Sequence, residues 1–370
     1  MRRHILALVT AMMAFAGPTY AFHDGGVANC SGCHTMHASQ DGRLGMHWTP
    51  GGNPDLLKFG NATDTCVRCH YFRGQLTGGS GQGPGGDFYW LTRTFTWTTP
   101  WGTVETSAGA SHGHNVANRV FSIVTDPVLA TSPGGNFLSS ELGCTSCHDP
   151  HGNANFRMLY GAALGPAYVG DTRYGFSAEA PLARGTEGPT TVGGGGNETD
   201  SRHTVYKSGM SEWCANCHGG MHVNDGSLFV HPAGLPLGGA IAEQYNRYIS
   251  TSDPDGGDIS TSYAGLVPFE DIDIELGLVD PANATTGPDD ADQVMCLTCH
   301  RAHASPFADA GRWDFAATFL LRDSHPRTGD GGASAQDVAN RYYGYVLDAN
   351  QRSLCNKCHA KDLGDAPLAP

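Results

Sequence analysis

A chain of 370 residues with a formal net charge of −14 and only 22 Lys and Arg lacks the basic surface that phosphate contacts need, which excludes nucleic-acid partners. Hydrophobic residues are 39%, Gly numbers 51 and Pro 21, a loop-rich composition whose side chains alone supply a thin core. Beyond the first residues no apolar run is long enough for a transmembrane segment.

The chain opens as a secretory signal peptide. Arg2 and Arg3 form its positive end, residues 5–16 its apolar run, and Thr19-Tyr20-Ala21 its cleavage site, so 1–21 is expected to be removed and 22–370 to form one domain. Losing both arginines takes the charge from −14 to about −16. Residues 88–101 (FYWLTRTFTWTTPW) alternate apolar and polar side chains, which predicts a β-hairpin or edge strand with an aromatic stripe packed inward. The Gly/Ala-rich stretch 161–199, with glycines at 193–196, predicts a surface loop. Residues 250–292 predict a solvated acidic loop, because the run from Asp253 to Asp258 lacks the ligand spacing and closing Glu of a calcium loop. The end, 366–370, reads as a frayed tail.

All 12 cysteines fall into one pattern, Cys-x-x-Cys-His. The copies are Cys30/Cys33/His34, Cys66/Cys69/His70, Cys144/Cys147/His148, Cys214/Cys217/His218, Cys296/Cys299/His300 and Cys355/Cys358/His359. Disulfides or zinc ribbons would account for the cysteines but leave a His after every second one unexplained. The pattern is the attachment signature of c-type haem: two thiols add to the porphyrin vinyls and the next imidazole binds iron as proximal ligand. Six haem c groups are therefore expected, and export agrees with them. The motifs begin at 30, 66, 144, 214, 296 and 355, an irregular spacing that predicts no tandem module. The expected fold class is a multihaem cytochrome c: mostly coil, short helices at the motifs, a few small β-hairpins, and a core built from six stacked haems. Without haem such a chain is not expected to fold.

What fills the second axial position separates carriers from catalysts. The non-motif histidines of the mature chain are His23, His37, His47, His112, His114, His151, His203, His222, His231, His303 and His325, more than six irons need. His37, His151 and His303 lie three residues after a proximal His, and His222 lies four after. On a helical turn such a residue shares a face with the proximal His, so it cannot cap its own iron but can reach a haem stacked alongside. His114 and His231 sit in turn-like sequence that can carry an imidazole onto a haem, and His23 lies near the mature N-terminus. His47, His112, His203 and His325 have no such context and are expected to face solvent. Met36, Met46 and Met210 are second choices. No Cys-x-x-Cys-Lys variant, nucleophile motif or nucleotide loop occurs, so no enzymatic activity is expected. Two alternatives stay open: a monomeric periplasmic or surface electron shuttle, and a terminal metal reductase with one open haem.

Longer blocks carry a resemblance. They are Ala21-Phe22-His23 with Gly25-Gly26-Val27, CSGCHTMH ending at His37, Gly85-Gly86-Asp87-Phe88, Gly113-His114-Asn115, CHDPHG around His148, MSEWCANCH ending at His218, His231-Pro232-Ala233-Gly234, CLTCHRAHAS around His300 and LCNKCHAKD around His359. In these the chain resembles the extracellular, filament-forming hexahaem cytochromes of metal-reducing bacteria, and it departs from them at 153–200, 269–294 and 321–340. The resemblance implies bis-His haems in a continuous chain, with distal ligands drawn from His23, His37, His114, His151, His222, His231 and His303. It further implies that His37 binds the iron of the Cys296/Cys299 haem in a neighbouring subunit, making a homopolymeric filament. The protein would be secreted, extracellular or at the outer cell surface, with redox partner cytochromes and extracellular metal oxides or other acceptors as partners.

Overall fold

The computed structural model describes residues 30–35, 39–40, 43–44, 55–71, 85–164, 167–169, 172–186, 198–222 and 231–359. The signal peptide, His23, His37, His47, Met36, Met46, the glycines at 193–196 and the tail at 366–370 lie outside them.

Among the described residues regular structure is sparse. Four antiparallel two-stranded sheets pair Ser39–Gln40 with Arg43–Leu44, Phe95–Thr98 with Val104–Ser107, Ala167–Val169 with Thr172–Tyr174, and Leu182–Arg184 with Val205–Ser208. The longest helices, Ala62–His70, Met210–His218 and Gly238–Arg247, reach only nine or ten residues. Buried apolar side chains form four separate small clusters. That division matches the thin core read from composition, and it agrees with the expectation that haem completes the interior.

Every attachment motif lies on a helical turn, as its spacing requires. The turns are Cys30–Gly32, Ala62–His70, Cys144–Ser146, Met210–His218, Cys296–Cys299 and Leu354–Lys357. In four of them the proximal His N–H bonds the carbonyl of the first Cys, at 2.9 Å for His34, 3.1 Å for His148, 3.0 Å for His300 and 2.9 Å for His359. This single bond sets both sulfurs and the imidazole on one side of the turn.

The irregular spacing hides a repeat. The first, third and fifth motifs share one clasp, closed by a later strand-like segment in each case. Bridges join His34 to Leu57, His148 to Leu159 and His300 to Gly311. The segments close through Thr35 N–H to Leu56, Asp149 N–H to Met158 and Arg301 N–H to Ala310, at 2.7, 2.8 and 2.7 Å. Leu56, Met158 and Ala310 all hold left-handed backbone, at φ 56°, 55° and 54°. The closing segment comes 21 residues after His34 but 9 after His148 and His300, which is why no fixed period is legible.

Residues 88–101 depart from the expected alternation. Phe88–Thr92 forms a 3-10 turn, because the Asp87 carboxylate accepts the Tyr89 N–H at 2.8 Å and caps it. Phe88, Trp90 and Leu91 are buried together, a spacing that suits this turn and not a strand. The hairpin begins at Phe95 and closes with Val104–Ser107, leaving Trp101 at its tip 88% exposed.

Three histidines expected at the surface are interior. His112 is fully buried, bonded to Ser107 Oγ at 2.8 Å and the Trp90 carbonyl at 2.9 Å. The ring of His203 stacks on Tyr263 at 3.4 Å. His325 stacks on Trp97 at 3.7 Å and bonds Asp330 at 2.6 Å. His112 also stacks on Phe95 across the hairpin, whereas His203 and the half-buried His325 meet aromatic partners far away in sequence. In the acidic loop, Asp253 accepts the Gly256 N–H and Asp258 accepts the Ser260 N–H, so these carboxylates fasten turns.

Candidate haem centres

The proximal imidazoles are oriented by backbone. Nδ1 lies 2.8 Å from the Asp55 carbonyl in His34, 2.9 Å from Arg157 in His148, 2.9 Å from Pro133 in His218 and 2.8 Å from Asp309 in His300. A carbonyl only accepts, so Nδ1 carries the proton and Nε2 is left with the lone pair that binds a metal. Outer hydrogen bonds of this kind fix ring orientation and raise ligand basicity. The carbonyls come from the clasps and from a loop at 133, and no sequence motif marks them.

Four imidazole pairs face one another. Ring centres are 6.3 Å apart for His34 and His151, 6.3 Å for His148 and His303, 6.0 Å for His114 and His218, and 6.1 Å for His231 and His359. Direct ring stacking would be closer. Two metal–nitrogen bonds of about 2 Å plus the distance from each nitrogen to its ring centre give about 6.3 Å. The donor set therefore fits an iron held on both sides. Among the described residues no imidazole faces His300, whose ring meets Phe315 edge-on at 5.6 Å.

His114 and His303 are positioned by one junction, where Ala304 bridges both Gly86 and Gly113. His303 N–H donates to Gly85 at 2.6 Å, Asp87 N–H to Ala304 at 3.1 Å and His114 N–H to His303 at 2.9 Å. Gly86 has φ +83°, and a Cβ there would lie 2.0 Å from the Ala304 carbonyl. Three of the blocks that carry the family resemblance thus meet at one place.

His222 is placed differently. Its Nε2 is buried without a hydrogen-bond partner, 3.7 Å from Glu212 Oε1. His70 closes its helix, and His23 and His37 fall outside the described residues.

The attachment sulfurs run through the molecule in chain order. Cys33 lies within electrostatic reach of Cys66 and Cys69, and Cys66 lies beside Cys144. Cys147 is close to Cys217, Cys214 lies beside Cys296, and Cys299 is close to Cys355 and Cys358. The two contacting pairs are built alike: Thr63 Oγ accepts the Cys144 N–H and Ser211 Oγ the Cys296 N–H, both at 3.2 Å. Each hydroxyl lies three residues before the first Cys of the preceding motif, a signal that reading the motifs alone missed.

Burial acts on the imidazoles and on several of the thiols in opposite senses, while Cys296, beside Cys214, is lowered to about 7. Burial pushes His303 down to about 3 and holds His114 and His148 below the usual range, which keeps them in the neutral form that binds metal. Burial pushes the Cys147, Cys299 and Cys358 thiols up to about 12, away from the thiolate that zinc requires. Among the described residues no cluster of three or more His, Cys, Asp or Glu could hold a metal ion by itself.

Known proteins resemble this chain along nearly its whole length. Residues 139–168 match the family described as Doubled CXXCH motif. The chain is 33% identical to the C-type cytochrome OmcS of Geobacter sulfurreducens, over 98% of its own length and 99% of that protein's. Two solved structures, the cryo-EM OmcS nanowires and the Outer Membrane Cytochrome S filament of the same organism, superpose with TM-scores of 0.74 at 30% and 32% identity. Each covers 92% of this chain and is itself covered completely.

Proposed function

The chain belongs to the family of the C-type cytochrome OmcS, and on that premise we propose how its subunits join and what they carry. It is a c-type cytochrome with six haems that polymerises into a filament for extracellular electron transfer. The haems supply the redox chemistry, and the protein sets their ligands, separation and burial.

One observation carries the mode of assembly. The extra His of the third motif, His151, faces the proximal ligand of the first, His34. The extra His of the fifth, His303, faces the proximal ligand of the third, His148. Each step reaches back two motifs, and His300 of the fifth has no such partner among the described residues. The next rung is the extra His of the first motif, His37, supplied by the adjoining subunit. A ligand that is supplied to a neighbour and received from another neighbour makes a heterologous contact, and such contacts extend into open fibres.

His114 with His218, and His231 with His359, would hold two further irons; of the two candidates left, His222 lies beside Glu212, so we assign His23 to the iron at His70. An iron held by imidazole on both sides would have no position left for substrate, so we read the protein as a carrier and not an enzyme. Bis-His ligation keeps potentials low relative to His/Met centres. The thiol order implies an electron path through the six sites in sequence order. We assign the signal peptide 1–21 to export, 22–370 to one domain, and the working location to the cell exterior. Its partners there are other redox cytochromes and extracellular acceptors such as metal oxides.

The test is the size of the secreted particle. Wild-type protein is expected as filaments and His37→Ala as single subunits. Filaments of unchanged length from His37→Ala would overturn the assignment and leave a shuttle in its place.

A further inference from the structure

Glu270 is only 1% exposed and has no role in the ligand scheme above. Its backbone is pinned on both sides, donating to and accepting from Gln293 at 2.9 Å. One side-chain oxygen, Oε1, accepts the Met210 N–H at 2.8 Å, at the start of the helix that carries Cys214 and Cys217. The other, Oε2, is buried without a hydrogen-bond partner. Glu270 bridges Tyr206 and bonds Met210, two members of an apolar cluster completed by Met295 and Leu297, where the fourth and fifth attachment motifs come close.

We infer that Glu270 is a proton-accepting site coupled to the haem carried by Cys296 and Cys299, so that electron transfer through this part of the molecule is accompanied by proton transfer. A lone carboxyl in an apolar setting responds strongly to any charge that changes nearby. Burial pushes it up to about 7 against the Met210 N–H, and Glu212 adds to the rise. Lys207 donates to the Ile274 carbonyl. Asp292 accepts the N–H groups of Ile272 and Asp289, and burial pushes it up to about 7 as well, so it is a competing carboxyl that titrates in the same range. Asp271 is itself held above the usual carboxylate range by burial.

The step balances simply. One electron from the donor reduces ferric haem to ferrous, and the Glu270 carboxylate takes one proton from solvent to become the carboxylic acid. Oxidation returns both. Raising the pH removes the proton, favours the oxidised haem and lowers the potential.

The inference rests on haem at Cys296 and Cys299, which the visible spectrum of purified holoprotein tests separately. Reduced-minus-oxidised infrared spectra of the wild-type holoprotein are expected to show a protonated carboxyl band on reduction that shifts in heavy water. The potential of one haem is expected to fall as pH rises between about 6 and 8. Glu270→Gln keeps the shape and the Met210 contact, and should abolish both signals while the haem spectrum is retained. A wild-type protein with pH-independent potentials and no carboxyl band would overturn the inference. So would a Glu270→Gln protein in which both persist. Wild-type protein lacking both signals overturns the inference by itself, and Asp292→Asn, which should keep both, separates Glu270 from the other buried carboxyl.

Discussion

His148 and His303 stand with ring centres 6.3 Å apart and planes at 62°, although they belong to different attachment motifs. His303 also stacks on Phe88 at 4.4 Å, which holds it in place from the far side. Replacing His303 by Ala should leave one iron of the six with an open position. The ferric protein is then expected to show about one sixth of its haem as high-spin, with cyanide binding at that fraction. A spectrum as fully low-spin as wild type would contradict the pairing.

Gly86→Ala tests how the junction positions two ligands together. The φ of +83° and the 2.0 Å approach to the Ala304 carbonyl cannot accommodate a Cβ without shifting the 303–304 backbone. A loss of about 2–3 kcal/mol is expected, seen as a lower thermal midpoint. Because His114 and His303 both hang on Ala304, two irons should turn high-spin where His303→Ala opens one.

The paired hydroxyls offer a milder test of the repeated geometry. Thr63→Val and Ser211→Ala each leave the N–H of a first Cys without its acceptor. Each should cost about 1 kcal/mol in urea denaturation, and the two costs should add because the sites are independent.

His112 makes stability depend on acid. Burial lowers it to about 4 in the folded chain from 6.5 when exposed. The unfolded chain therefore binds a proton first, so the contribution is complete above about 6.5 and is lost as pH falls toward about 4. The difference between the two corresponds to about 3 kcal/mol. His112→Gln should flatten this part of the pH–stability curve by about one proton, and an unchanged slope would show that His112 is not its source.

How much was legible follows from the kind of signal. Cys-x-x-Cys-His is a covalent requirement within five residues, so the six sites and their helical turns could be read directly. The extra histidines at His151 and His303 announced that they serve other haems, because a helical turn denies them their own iron. Which haem each serves depends on clasps closed 9 or 21 residues away and on Ala304 meeting Gly86 and Gly113, contacts without a local pattern. The burial of His112, His203 and His325 was missed for the same reason, since Phe95, Tyr263 and Trp97 reach them only in the folded chain. At Phe88 the alternation suggested a strand, and the Asp87 cap decided for a turn.

The central claim is that the iron at His300 is completed by His37 of an adjoining subunit. Low-temperature electron paramagnetic resonance of the ferric protein, recorded on filaments and on His37→Ala subunits, measures this directly. Uniformly low-spin filaments and one high-spin haem in six for the variant are the predicted result. Six low-spin haems in isolated His37→Ala subunits would contradict it.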